Sequence, residues 1–184
     1  MEGYEMKAFF LDRDGVINDD SEADVRREED VKLYEYVAEA MKLIKSAGYE
    51  IFIVSNQSGV HDGRITWDEL DTVNRTINER LTAKGAPVPK KYYYCPHAMN
   101  GDCACRKPKA GLLMQAVEEF GVDIAQSFII GDRISDMTAG YTAGCAKGVH
   151  VLSGYGMNVK DEPLPPGYLR AENLLQAVKL LLNK

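Results

Sequence analysis

Two carboxylates one residue apart, Asp12 and Asp14, close the apolar run Phe9-Phe10-Leu11. Acidic groups this close repel unless a cation lies between them or one holds a proton, so the pair points to a bound metal, an acid/base couple, or both. A nucleophile beside a proton donor calls for the same spacing. The plain alternative is a solvated turn, because Asp and Gly are ordinary turn residues and Asp12-Arg13-Asp14 can form an exposed ion cluster. Three later stretches weigh against it. Ile51-Phe52-Ile53-Val54 stops at Ser55-Asn56-Gln57-Ser58-Gly59, Phe128-Ile129-Ile130-Gly131 stops at Asp132, and Arg106-Lys107-Pro108-Lys109 is a local basic run able to hold a phosphate.

As a set these residues suit phosphoryl transfer. Asp12 would attack phosphorus to give an aspartyl-phosphate, while Asp14 protonates the departing alcohol and later deprotonates water. Asp12, the backbone carbonyl of Asp14 and Asp132 make an oxygen set for Mg²⁺. Ser55 would donate to a phosphoryl oxygen and Lys107 would neutralise charge during transfer.

Positioning these groups requires a sheet. Buried strands are expected at residues 7–11, 49–54, 92–94, 128–131 and 148–152. Helices are expected from residue 33 to the stop at Gly48, over 66–84 with a Thr66/Glu69 capping box, and over 111–120, 135–143 and 174–182. Such alternation predicts an α/β fold, a Rossmann-like, mostly parallel sheet with helices on both faces and its functional side chains at the carboxyl rim. Residues 18–30 are read as an exposed polar loop.

A chain of 184 residues is read as one domain, 1–184, with too little sequence between motifs for a separate cap. Substrate selection then falls to loops 19–27, 60–64 and 95–105. The longest apolar runs are too short to span a bilayer, and residues 1–5 are acidic where a signal peptide would be basic, so a cytoplasmic protein without membrane partners is expected. The net charge of −6 argues against nucleic acid and leaves a small anionic metabolite as the expected ligand. Monomer is the default, since no heptads or broad apolar faces stand out.

Three of the four cysteines crowd near one histidine. Cys95, His97, Cys103 and Cys105 form a soft Cys₃His set suited to structural Zn²⁺, with every position filled by protein and none left for a reacting water. Cys145 stands apart and reads as a packing residue.

Asp12-Arg13-Asp14-Gly15, Ser55-Asn56-Gln57-Ser58-Gly59, Cys105-Arg106-Lys107-Pro108 and Gly131-Asp132-Arg133-x-x-Asp136 resemble the four motifs of haloacid-dehalogenase-type phosphatases. More narrowly they resemble the branch holding the D-glycero-D-manno-heptose 1,7-bisphosphate phosphatases and the histidinol-phosphate phosphatases. The resemblance spans residues 7–152. It implies Asp12 as nucleophile, Asp14 as acid/base, Ser55 and Lys107 on the transferring phosphoryl group, and Asp12, Asp14 and Asp132 on Mg²⁺. It further implies substrate contacts from Asn56, Gln57, Ser58, Arg106 and Arg133, with Asp136 supporting from behind, and a zinc loop that fixes Arg106 and Lys107. The expected activity is hydrolysis of a sugar bisphosphate. Histidinol phosphate is the alternative substrate, favoured by acidic residues 19–24 and the compact spacing from His97 to Cys103. A non-catalytic phosphate- or metal-binding module is the alternative of another class.

Overall fold

The computed structural model describes residues 6–20 and 24–183. The acidic stretch 1–5 and residues 21–23 of the first expected selection loop lie outside them. Among the described residues no helix is long and apolar enough to cross a membrane.

The strands are β1 (Ala8–Leu11), β2 (Glu50–Asn56), β3 (Lys91–Cys95), β4 (Phe128–Gly131), β5 (Lys147–Val151) and β6 (Leu169–Ala171). The helices are α1 (Val37–Ser46), α2 (Trp67–Ala83), α3 (Gly111–Phe120), α4 (Ile134–Ala143) and α5 (Leu174–Leu182). All six strands are parallel in the order β3-β2-β1-β4-β5-β6. β1 therefore lies in the middle with connections leaving to either side, and the β1/β4 junction is the topological switch point where α/β sheets bind ligands. No further sheet stands over this rim among the described residues.

Strand alternation divides the core in two. Phe9 and Leu11 join Ile51, Ile53, Ile130 and Val149 beneath Met41, Ile77 and Val178 of α1, α2 and α5. Ala8 and Phe10 join Phe52, Val54 and Ile129 beneath Leu112, Leu113 and Met137 of α3 and α4. A sheet buried on both faces explains why β1 is uniformly apolar rather than alternating, and why it can end abruptly in acids only at its rim. Cys145 is buried in the second core, as its isolation from the other cysteines predicts.

Sequence and structure differ chiefly at four places. The first helix begins at Val37, not residue 33, because Leu33 pairs with Asn18 as an isolated bridge. Residues 18–30 are not simply exposed: Asn18 is fully buried, its Nδ2 donates to the Asp19 carbonyl and its Oδ1 accepts from Lys32 N–H, while Glu28–Asp30 form one 3₁₀ turn. Ser55 and Asn56 belong to β2 itself, whose ladder to β3 runs on through Asn56↔Cys95. The short edge strand β6 has no counterpart in the sequence pattern. Thr66 and Glu69 do form the expected capping box at α2.

Candidate active site

The rim gathers what the motifs separate. Asp12 follows β1, Ser55 and Asn56 close β2, and Asp132 follows β4; Lys107 arrives on the loop between β3 and α3, and Asp136 on the first turn of α4. Asp136 is held there by its capping role, its Oδ2 accepting from Arg133 N–H at 3.0 Å. Lys107 is 3% exposed, and its Nζ lies 2.6 Å from Asp136 Oδ1 and 3.3 Å from Asp12 Oδ1 while donating to the Val54 carbonyl at 2.6 Å. Asn56 fixes the lysine's backbone, its amide donating to Lys107 O at 3.0 Å and accepting from Lys107 N–H at 3.1 Å. Ser55 and Asp14 share one donor, Gln57 Nε2, at 3.0 and 2.9 Å.

A cleft of about 440 Å³ opens over these groups, lined by Asp12, Asp14, Ser55, Asn56, Gln57, Ser58, Arg106, Lys107, Arg133 and Asp136. Every expected phosphate- or substrate-contacting residue thus faces one space. Asp20, Asp24, Arg64 and Met99, from the three loops expected to select substrate, also line it. Arg64 is not free there: Asp24 and Asp62 both pair with it. Arg133 is steadied by Tyr155, whose ring centroid lies 4.4 Å from the guanidinium carbon.

Acidic oxygens of Asp12, Asp132 and Asp136 lie within 4.8 Å of one another, a spacing a hard cation can bridge. Two observations fit a cation. Asp132 Oδ2 accepts from Tyr155 N–H at 2.8 Å, but its buried Oδ1 has no partner. Burial, joined by the charges of Asp12 and Asp136, pushes the Asp132 carboxyl up to about 8. Burial likewise holds Asp12 up at about 6, with Lys107 pulling the other way and Asp136 and Asp14 adding to the rise. For Lys107 burial opposes the charge, yet Asp12 and Asp136 more than offset it and raise the ammonium. Asp14, by contrast, turns its carboxylate to Arg13 and Gln57.

A pH effect follows. A carboxyl raised in the fold binds its proton more tightly there than in the unfolded chain, so that stabilisation is lost as pH climbs from about 4 toward about 8. A cation replaces the proton and restores it. The rise in Tm on adding saturating Mg²⁺ to Mg²⁺-free protein is expected to be larger at pH 8.5 than at pH 6, as read by thermal melts; equal rises would contradict the assignment of Asp132.

The soft cluster also assembles. Cys95 Sγ lies 3.6 Å from Cys103 Sγ and 3.5 Å from His97 Nδ1, and His97 Nδ1 lies 3.2 Å from Cys105 Sγ. Zn–S bonds of about 2.3 Å put tetrahedral ligand edges at roughly 3.7 Å, so the four side chains fit one Zn²⁺ with small adjustments. Cys105 directly precedes Arg106 and Lys107.

Sequence reasoning missed the polar groups beneath the rim. His150, fully buried on β5, contacts the Asp132 carbonyl through Nε2 at 3.1 Å, and Ser153 Oγ donates to the Gly15 carbonyl at 2.7 Å. Neither stands in a motif. Gly15, at φ 80°, carried a signal: a Cβ there would collide with Asp132 Oδ2, so only glycine lets the turn after β1 pass the acid.

Sheet order and rim together make this a haloacid-dehalogenase-type hydrolase. Residues 104–177 match the model of the HAD-hydrolase-like family. The chain is 40% identical over 137 residues to the D-glycero-β-D-manno-heptose-1,7-bisphosphate 7-phosphatase of Helicobacter pylori, covering 74% of this chain and 79% of that one. It is 34% identical to the enzyme of the same name from Pseudomonas aeruginosa, over 94% and 96% of the two chains. The crystal structure of D,D-heptose 1,7-bisphosphate phosphatase from B. bronchiseptica, complexed with magnesium and phosphate, superposes with a TM-score of 0.89 at 30% identity, over 97% and 99%. The chain belongs to the family of the D-glycero-β-D-manno-heptose-1,7-bisphosphate 7-phosphatases.

Proposed function

We propose that this phosphatase hydrolyses the 7-phosphate of D-glycero-D-manno-heptose 1,7-bisphosphate through a phosphoryl group carried on Asp12. The observation that carries the reading is the buried Asp12 carboxylate, set 3.3 Å from Lys107 Nζ in the same cleft as Asp14. With its carboxyl near 6, Asp12 is ionised at neutral pH and able to attack phosphorus. Asp14 gives a proton to the departing sugar alkoxide, then takes one from the water that attacks the aspartyl-phosphate and frees inorganic phosphate. Lys107 offsets the negative charge on the equatorial oxygens, and Ser55 Oγ donates a hydrogen bond to one of them. Asp12, Asp132 and the carbonyl of Asp14 would hold Mg²⁺, with Asp136 holding Lys107. When bound, the cation neutralises the repulsion between an anionic nucleophile and an anionic phosphate.

Asn56, Gln57, Ser58, Arg106 and Arg133 line the space that would take the sugar phosphate, and Asp20, Asp24 and Arg64 line the same cleft and would meet the polyol. Heptose bisphosphate is preferred to histidinol phosphate because the relatives described above are named for the former. Steady-state hydrolysis of the two compounds, with a panel of other sugar phosphates, is the test. A kcat/KM preference of roughly a hundredfold or more for the heptose bisphosphate is expected. A preference of that size for histidinol phosphate would overturn the substrate, and binding without turnover of any phosphomonoester would favour a non-catalytic module.

A further inference from the structure

Arg13 takes no part in the chemistry above, yet it is 1% exposed and heads the fully buried side chains by size. Burying a guanidinium costs several kcal/mol unless its partners are well placed. Here they are. Nε donates to Asp14 Oδ1 at 2.9 Å and Nη2 to Asp14 Oδ2 at 2.8 Å, a two-pronged pairing that fixes the carboxylate plane as well as its position. Nη1 points the other way, to the Tyr94 hydroxyl at 3.4 Å, and the guanidinium carbon lies 5.7 Å from that ring's centroid. The Tyr94 hydroxyl in turn donates to Asn74 Oδ1 on α2. Gln57 Nε2 also donates to Asp14 Oδ2, at 2.9 Å. Asp14 keeps one open flank, its side chain 21% exposed toward the cleft.

We propose that Arg13 is the positioning residue for proton transfer: anchored on Tyr94 and Asn74, its rigid fork aims the Asp14 carboxylate at the leaving oxygen and then at water. The proposal rests on the phosphatase reading. In the first half, an Asp12 oxygen–phosphorus bond forms, the bond from phosphorus to the alcohol oxygen breaks, and a proton passes from Asp14 to that oxygen. In the second, a water oxygen–phosphorus bond forms, the Asp12–phosphorus bond breaks, and Asp14 takes the water proton. Lysine at position 13 keeps the charge and loses the fork, so it isolates aim from charge.

The halves separate with p-nitrophenyl phosphate, whose leaving group departs as a stable anion and needs no proton. Arg13→Lys and Tyr94→Phe are compared with wild type as full-length, zinc-replete, Mg²⁺-saturated proteins, with zinc content and circular dichroism as folding controls. For the sugar phosphate that wild type prefers, kcat is expected to fall about a hundredfold in Arg13→Lys with little change in KM. With p-nitrophenyl phosphate the rapid first burst of nitrophenolate stays within about threefold of wild type while the later steady rate falls. Tyr94→Phe, which retains the fork, shows the same pattern at a few-fold amplitude and carries the test if the lysine variant does not fold. Equal losses in the burst and in sugar-phosphate turnover, or no loss in either, would overturn the proposal. A wild type inactive on both compounds would instead remove the phosphatase reading beneath it.

Discussion

Asp12→Asn is expected to lose at least about 10⁴-fold in kcat/KM while keeping its fold and its zinc. The amide is isosteric but lacks the anionic oxygen that attacks phosphorus. The loss is chemical rather than structural because the neighbours remain satisfied: Lys107 keeps Asp136 at 2.6 Å and the Val54 carbonyl at 2.6 Å, and Arg13 N–H still finds a side-chain oxygen where it now meets Asp12 Oδ1 at 2.8 Å. Removing one of two carboxylates around Lys107 is therefore far milder than removing the lysine, which would leave buried like charges facing each other. Steady-state kinetics with circular dichroism and zinc analysis check it. A variant retaining a tenth of wild-type turnover would show that Asp12 is not the nucleophile.

Cys105→Ser is expected to lower both activity and stability, and it acts at a distance. Wild type purified under reducing conditions without chelator is expected to carry about one zinc per chain, and the variant close to none. Cys95 sits at the carboxyl end of β3 while Cys103 and Cys105 lie on the loop that delivers Arg106 and Lys107, so a zinc ion held by the four would tie that loop to the sheet. Without the tie, Lys107 loses its fixed approach to Asp12. The expected outcome is a fall of roughly 10- to 100-fold in kcat/KM. A Tm lower by roughly 10 °C is also expected, each kcal/mol being worth about 2–4 °C at this chain length. Zinc-free protein as active and as stable as wild type would contradict a structural role.

Much of this was legible in the sequence because the chemistry sits where strands end. Apolar runs of four residues, Ala8 to Leu11, Ile51 to Val54 and Phe128 to Gly131, each followed directly by Asp12, Ser55 or Asp132, announced both the parallel sheet and its rim. Cys95, His97, Cys103 and Cys105 announced a metal site by residue type alone. What stayed hidden depends on contacts between remote segments. Arg13 carries no sequence signal of burial, since arginine is ordinarily exposed, and only the arrival of Tyr94 from β3 and Asn74 from α2 makes its burial tolerable. His150 lay inside a plain apolar strand pattern. β6, whose three residues Leu169, Arg170 and Ala171 run from exposed to buried at the sheet edge, has neither the length nor the alternation that marks a strand. Leu33 kept helical spacing with Val37 but was drawn into the pairing with Asn18, a tertiary preference that local periodicity does not encode.

The central claim is that the phosphoryl group passes through Asp12. Acid-quenching the wild-type enzyme during turnover of its preferred sugar phosphate, followed by peptide mass spectrometry, tests it directly. A single acid-stable phosphoryl group on the peptide that carries Asp12, absent from Asp12→Asn, is the expected result. Rapid turnover with no phosphorylated Asp12 at any quench time, or with the phosphoryl group on another residue, would contradict it.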